Sequence, residues 1–331
     1  MATIDDVARL AGVSTATVSR ALRGLPEVSP PTRLRVLDAA RTLGYVASPS
    51  ASRLAGGKTR AVGVVVPRIT RWFFATVVEA IEETLQGAGY DMVLYNLGGR
   101  PEARRRLLRG ATLAHRVDAL VLVSFPLLPE DVLAVESLAL PVALVGEGEP
   151  RWTAVRIDDV AAARTATEHL IQLGHRRIAH ISGDPDDELA VTAHIDRQHG
   201  YQCALRAAGL TVDAALDVQA PFTVAGGAHA IAELLRRTEP PTAIVAACDE
   251  MAIGAMTGLR EAGLRVPRDV SVIGIDDHDL AGAVGLSTVA QPAAELGRRA
   301  AAMLLEPTLD PACTITLPTR LVVRDSTGSP R

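Results

Sequence analysis

Cysteine occurs only three times, at Cys203, Cys248 and Cys313. The three are too far apart for a metal-ligand spacing, and their odd number fits no disulfide framework. They read as reduced, packed thiols. Lysine occurs once, at Lys58, among 34 basic residues, which points to base composition rather than to chemistry. No apolar run reaches the roughly 18 residues that a membrane span needs. Met1 to Arg9 carries Asp5 and Asp6 and no apolar segment, so no secretory leader is read there and the cytoplasm is the expected compartment. The marks of common enzymes are also missing, since no G-x-G-x-x-G follows the first apolar run and no G-x-S-x-G elbow occurs. Gly56-Gly57-Lys58-Thr59 looks like the end of a phosphate loop, but it has no glycine five residues earlier and no strand before it. His175 and His180 are five apart with no third ligand in sight. No catalytic residue, metal or cofactor is therefore expected.

The composition that is present, 48% hydrophobic and 22% charged over 331 residues, is that of an ordinary globular chain. At about 100 to 200 residues per domain it amounts to two or three units. The formal net charge of −4 argues against a general nucleic-acid binder, but its distribution does not. Residues 1–60 hold eight arginines and Lys58 against Asp5, Asp6, Glu27 and Asp38, a surplus of five positive charges, so the remainder carries −9. A basic head on an acidic body is the pattern expected when only the head approaches phosphates.

Within that head, Thr3 and Asp6 have the spacing of an N-cap and its third helical residue, and Val7, Ala8, Leu10 and Ala11 follow as an apolar stripe. Gly12 stops this helix. Ser14 caps a second, from Thr15 to Leu22, across the tight Ala11-Gly12-Val13-Ser14 turn, which makes a helix-turn-helix. Ser29-Pro30-Pro31-Thr32 opens a third helix, with Leu34, Leu37, Ala40 and Leu43 as its expected buried face and Gly44 at its end. In this motif the start of the second helix faces base edges. Thr15, Ala16 and Arg20 are the base-contact candidates, with Arg20 able to chelate guanine O6 and N7. Thr3, Ser14, Thr17, Arg23, Ser29 and Thr32 suit phosphates, which position without reading sequence. A three-helix unit that merely caps the larger domain is the competing reading.

Thr3-Ile4-Asp5-Asp6-Val7-Ala8, Ala11-Gly12-Val13-Ser14 and Thr17-Val18-Ser19-Arg20 resemble the head of the lactose repressor/galactose repressor (LacI/GalR) family of bacterial transcription regulators, and the resemblance runs along nearly the whole chain. It implies an all-α helix-turn-helix head over residues 1–47, a hinge over 48–60, and an α/β periplasmic-binding-protein-like body over 61–331 made of two parallel-sheet subdomains. The first subdomain would take about 61–160 and 291–318, the second 161–290 and 319–331. In the hinge, Pro49 to Ala55 is too short to be a stable helix alone. The resemblance implies that it orders on operator DNA, with Leu54 as a minor-groove wedge, Ala51 packing between paired hinges and Arg53 near the backbone. A plain flexible linker explains Gly56-Gly57 but not Leu54. The proline also sits two places later than the family has it.

In the body, apolar runs at Ala61 to Pro67, Asp91 to Asn96, Ala119 to Phe125, Pro141 to Gly146, Arg177 to Gly183, Ala243 to Cys248 and Val270 to Asp276 alternate with amphipathic stretches such as Ala161 to Leu173 and Glu250 to Ala262. This alternation predicts parallel sheets flanked by helices. In such sheets ligands bind beyond the carboxyl ends of the strands. Val62 to Pro67, Thr167-Glu168-His169-Leu170, Gly174 to Ala179, Arg197 with Gly200-Tyr201, Asp249 to Gly254 and Gly274 to Asp277 stand where the family has its signatures.

The resemblance implies an effector cleft in which Arg197 and Asp276 face each other, Phe222 stacks on a ring, and Asp249, Phe73 and Phe74 are further candidates. A fork of donors opposite a pair of acceptors suits vicinal hydroxyls. A structural ion pair is the competing reading for Arg197 and Asp276, and core packing for the two phenylalanines. Two departures bear on the ligand: Arg68-Ile69-Thr70-Arg71-Trp72 brings two cations and an indole to the first loop, and Cys248 stands before Asp249. The expected partners are double-stranded operator DNA, a small-molecule effector, a sugar rather than a purine or sugar phosphate, and a second copy of the chain. A solute-binding receptor without a DNA role would explain the body but not the head.

Overall fold

The computed structural model describes residues 2–22, 25–45, 59–109, 113–124, 127–184, 193–306 and 313–331. The expectations placed on Arg23, Ala51, Arg53 and Leu54 lie outside the described residues.

The head consists of helices α1 (Ile4–Ala11), α2 (Thr15–Leu22) and α3 (Pro30–Thr42). Local chemistry sets their ends. Asp6 N donates to Thr3 Oγ1 at 3.3 Å and Thr3 N to Asp6 Oδ2 at 3.0 Å, a reciprocal capping box. Gly12 ends α1 at φ 65°, a left-handed turn open to glycine. Thr17 N donates to Ser14 Oγ at 3.2 Å and starts α2. The three helices close on Val7, Ala8, Ala11, Val18, Ala21, Val28, Val36, Ala39 and Ala40.

Two expected apolar faces need correction. Leu10 and Leu34 are 55% and 66% exposed and Leu43 is 36% exposed. Val36, Ala39 and Ala40 fill the interior of α3, with Leu37 half-buried. A bundle of three short helices is narrow enough for valine and alanine to fill it, and the leucines fall beside that stripe.

In the body the chain lays down β1 (Ala61–Val66), α4 (Trp72–Gly87), β2 (Asp91–Asn96), α5 (Pro101–Leu108), β3 (Ala119–Val123), α6 (Pro129–Glu136), β4 (Val142–Val145) and β5 (Thr153–Ile157). It then crosses to a second lobe with α7 (Asp159–Gln172), β6 (Ile178–Gly183), α8 (Ala193–Ala207), β7 (Asp217–Ala220), α9 (Val224–Leu234), β8 (Ala243–Ala246), α10 (Asp249–Glu261), β9 (Ser271–Asp276) and β10 (Ser287–Ala290). Helix α11 (Ala293–Leu305) returns to pack on α4, so closely that a Cβ on Gly297 would lie 2.4 Å from Val77 O. Strand β11 (Thr314–Leu317) joins the first sheet, and β12 (Arg320–Val322) the second.

The sheets run β11-β5-β4-β3-β1-β2 and β12-β10-β9-β8-β6-β7. All their pairings are parallel except that of β12 with β10. Described residues of the chain thus pass between the lobes after β5, after β10 and after β11. Strands β1, β3, β4, β6, β8 and β9 are buried along their whole length, as expected when helices cover both faces of a parallel sheet. The final strand ends at Val322, and beyond it Ser326 turns inward and donates to Val272 O at 2.6 Å.

Candidate functional site

The carboxyl ends of both sheets face one cavity of about 330 Å³. Its walls come from residues just after strands: Arg68 and Arg71 after β1, Glu147 after β4, Asp159 after β5, Phe222 after β7, Glu250 after β8, Asp276 at the end of β9 and Gln291 after β10.

Arg197, on α8, is the centre of the deep part. Gly200, one turn along, allows the approach: a Cβ there would lie 2.2 Å from Val160 O, so α8 seats directly on the backbone of α7. Tyr201 then anchors the helix by donating to Ile178 O at 2.8 Å. In this position Arg197 Nε donates to Asp159 Oδ1 at 2.7 Å and Nη1 donates to Ala247 O, with Asp276 Oδ1 3.7 Å from Nη1. Asp276 also accepts from Gln291 Nε2. Its φ is 140° and that of Asp277 is 61°, conformations an L-residue keeps only where its surroundings hold it. Asp277 Oδ1 accepts from Arg324 Nη2 at 2.6 Å, which braces this corner from the last crossing.

One guanidinium thus serves two carboxylates, Asp276 buried and Asp159 half-buried. Burial raises the pKa of Asp276, Arg197 opposes that, and Asp249 adds to it. Burial likewise raises Asp159, again against Arg197. Burial works against the charge on Arg197, but Asp159 and Asp276 outweigh it and hold the pKa up. Cys248 lines the same wall, and burial pushes its thiol pKa well up, which keeps it protonated.

Arg197, Asp276, Phe222, Phe73 and Phe74 all line this cavity. Phe73 and Phe74 meet edge to face with ring centres 5.5 Å apart, and Phe74 is buried at the base of α4. Asp249 is the exception among the expected effector residues. It is fully buried and does not line the cavity; Oδ1 accepts from Thr288 Oγ1 at 2.7 Å and Oδ2 from His278 N at 2.8 Å. A Cβ on Gly274 would lie 2.1 Å from Asp249 Oδ1, so the glycine makes room for a carboxylate that ties α10 to β10 and to the turn after β9. Glu250, the next residue, takes the cavity wall instead.

Several wall residues went unnoticed in the sequence. Asp159 and Gln291 follow β5 and β10, short strands whose polar residues hid them. Arg71 was visible as a loop cation, but its partner was not: Nη1 lies 2.7 Å from Glu250 Oε2, 179 positions away and in the other lobe. Trp72 N donates to Glu250 Oε1 at 3.4 Å, and its indole lies 5.1 Å from the His278 ring.

His175 and His180 have structural places. His175 contacts Thr242, Ser271 and the carbonyl of Gly328, while His180 meets Asp217 at 3.1 Å and stacks on Tyr201. Among the described residues no group of three or more His, Cys, Asp and Glu is placed to hold a metal ion, and no helix is long and apolar enough to cross a membrane.

In the head, Thr15, Ala16 and Arg20 are exposed on α2. Ala16 and Arg20 share a face one turn apart. Ser14 with Thr17 and Ser29 with Thr32 pair their hydroxyls at 2.9 and 3.0 Å at the starts of α2 and α3, where free backbone N–H groups favour anions. Thr3 stands at the start of α1, its hydroxyl donating to Asp6 Oδ2 at 2.7 Å.

A helix-turn-helix head on a two-lobed body with a polar cleft defines a ligand-responsive DNA-binding regulator. Residues 3–48 match the family described as bacterial regulatory proteins, lacI family, and residues 167–327 the periplasmic binding protein-like domain. Catabolite control protein A of Priestia megaterium is 35% identical over 333 residues, covering 98% of this chain and 99% of that protein. The transcriptional repressor CytR of Escherichia coli is 36% identical over 310 residues, 92% of this chain and 89% of its own length. Among solved structures, the lac repressor dimer bound to operator and the anti-inducer ONPF superposes with a TM-score of 0.86 at 29% identity, covering 99% of each chain. The complex of the regulator CelR with cellobiose does so with a TM-score of 0.73 at 34% identity, over 98% of this chain and 100% of that one. The chain belongs to the LacI family and is a DNA-binding transcriptional regulator.

Proposed function

We propose that the protein is a homodimeric, cytoplasmic repressor whose heads read a two-fold operator and whose cleft binds a sugar that alters operator affinity. The observation that carries this reading is the deep arrangement of Arg197, Asp159, Asp276 and Gln291 beside Phe222. It offers donors and acceptors for adjacent hydroxyls and a ring for an apolar sugar face, with positive and negative groups close to balance. Relatives support it, since CelR is seen with cellobiose and a LacI-family regulator of Enterococcus faecium with ribose. Thr15, Ala16 and Arg20 take base edges, with Thr3, Ser14, Thr17, Arg23, Ser29 and Thr32 on phosphates. Leu54, Ala51 and Arg53 act in the hinge.

The cleft lies between lobes joined by three crossings, so a ligand that contacts both lobes biases their relative position. Coupling to the heads is then reciprocal and of about 1 to 3 kcal/mol. A mobility-shift titration of the full chain on the DNA beside its own gene tests this. A specific shift that changes with added sugar is expected. No specific shift, with or without sugars, overturns the reading.

A further inference from the structure

The charge of the body is unevenly spread. Residues 61–331 carry −9 in all, yet residues 97–118 hold Arg100, Arg104, Arg105, Arg106, Arg109 and Arg116 against Glu102 and Asp118. That stretch has a surplus of four positive charges, so the rest of the body carries −13. Two of the six arginines are engaged locally, Arg104 with Asp131 at 3.0 Å and Arg105 with Glu102 at 3.2 Å. Arg106, Arg109 and Arg116 are exposed and form no ion pair among the described residues. The last turn of α5 favours cations through the helix dipole, which accounts for Arg106 but not for Arg116, beyond the helix.

The fold gathers these arginines at one end of the first lobe. Helix α5 leaves the carboxyl end of the sheet, where Leu97 N donates to Val66 O at 2.9 Å, and runs back to the start of β3. Leu108, Leu113 and Val117 close there on Ala61 in one core, so Arg109 and Arg116 stand beside the first residue of β1. The chain arrives from the head at this same point. Asp118 Oδ1 accepts from Thr59 N at 2.7 Å and Oδ2 from Arg60 N at 2.8 Å, while Asp118 N donates to Ala61 O at 2.7 Å. Arg60 is itself exposed and forms no ion pair among the described residues.

Fourteen steps of chain separate Tyr45 in the head from Thr59. Fully extended they span roughly 50 Å, or about 15 base pairs at 3.4 Å each. The arginine face is thus tethered close to whatever duplex the head holds. The rest of the body, at −13, is repelled by that duplex, and only a basic face can approach it. Among the described residues of 97–118 no large hydrophobic side chain is exposed. The face therefore lacks the apolar centre of a specific protein interface, and its guanidinium groups suit phosphates.

We propose that this face is a second DNA contact, in which Arg60, Arg106, Arg109 and Arg116 take phosphates of the duplex flanking the stretch that the heads read. The proposal rests on the reading of the head as the operator reader.

Fluorescence anisotropy of the full chain tests it on two duplexes. One is the fragment shifted beside its own gene, trimmed to a core of about 20 base pairs that holds two half-sites. The other carries the same core with about 15 base pairs of arbitrary sequence at each end. The flanked duplex is expected to bind about ten-fold or more tightly at roughly 0.1 M salt, with a steeper salt slope. Combined Arg106→Gln, Arg109→Gln and Arg116→Gln removes that gain, lowers the slope by about one for each lost phosphate contact, and leaves the core duplex unaffected. Arg106→Lys, Arg109→Lys and Arg116→Lys retain the gain, which separates loss of charge from damage to the fold. The same change of charge in the second lobe, Arg206→Gln, Arg236→Gln and Arg260→Gln, leaves both duplexes as in the parent. Equal binding of the two duplexes by the parent overturns the second contact and leaves the head's reading standing. A glutamine variant that matches the parent on the flanked duplex does the same and turns the face over to an acidic protein partner. Equal losses on both duplexes also overturn it, because the charge then acts through the long-range field alone. No specific binding by the parent overturns both.

Discussion

Arg71 Nη1 and Glu250 Oε2 lie 2.7 Å apart and join the two lobes across the mouth of the cleft. Arg71 follows β1, and Glu250 stands in the first turn of α10, where the helix dipole favours a carboxylate. The pair is mostly shielded from water, so screening is weaker than at an open surface. A value at the upper end of the roughly 0 to 1 kcal/mol measured for exposed pairs is reasonable.

Glu250→Ala removes this tie and the acceptor for Trp72 N together. The ligand-free body then opens more often, and small-angle scattering should report a larger radius of gyration than the parent protein shows. Identical scattering curves would mean that the lobes are held by the crossings alone.

Arg197 carries structure besides the ligand role proposed for it. Truncating it removes the guanidinium that Asp159 and Asp276 share; burial holds a proton on Asp276, so the loss falls mainly on Asp159, which keeps 17% of its side chain exposed, and amounts to about 1 to 3 kcal/mol. At roughly 2 to 4 °C per kcal/mol for a body of this size, Arg197→Ala should melt about 2 to 12 °C below the parent. Calorimetric scans decide the point. A companion Arg197→Met, Asp159→Asn variant recovers part of the loss, because one stranded carboxylate has gone. A melting temperature unchanged by Arg197→Ala would refute the shared-cation account.

The same cluster sets a pH dependence. Burial raises Asp276 from the ordinary 3.8 to about 8, so the folded chain holds a proton there that the unfolded chain releases. Its contribution to stability is full below pH 3.8 and is lost as pH rises through about 8. His169 and His175 act with the opposite sign. Burial lowers both from 6.5, so their contribution is present above that value and fades as the solution is acidified. A difference measurement separates the terms. Asp276→Asn cannot ionise, and its melting temperature should gain on the parent steadily from pH 5 to pH 8. A constant gap between the two proteins across that range would show that Asp276 is ionised throughout.

What the sequence disclosed followed the range of the forces involved. Caps at Thr3 and Ser14 and the stop at Gly12 act within four residues, and all three were readable. Strands buried on both faces were readable as apolar runs, whereas β5, β7, β10 and β11 are short and mix polar with apolar residues. Gly200, Gly254 and Gly274 stood out as motifs without reasons. The structure supplies them as close approaches, such as the Cβ on Gly254 that would sit 1.9 Å from Val224 O. Asp249 and Glu250 show the limit most clearly. Asp249 was readable as a polar residue after a strand and Glu250 as the start of an amphipathic stretch, but which one ties α10 to β10 and which faces the cleft depends on Thr288 and Arg71, contacts that no local pattern encodes.

The proposed reading of bases by the head rests on Arg20. Its side chain is exposed on α2, one turn beyond Ala16, with the hydroxyl pairs of Ser14–Thr17 and Ser29–Thr32 at the starts of α2 and α3. If Arg20 chelates a guanine, Arg20→Ala loses about 1 to 3 kcal/mol of discrimination, or roughly five- to 150-fold, on operator DNA and little on scrambled duplex. A lost phosphate contact behaves differently: it weakens both DNAs alike and lowers the salt slope by about one. Fluorescence anisotropy on the two duplexes at several salt concentrations distinguishes these outcomes. Equal losses on both, with a shallower salt slope, would move Arg20 from the bases to the backbone and leave Thr15 and Ala16 as the head's readers.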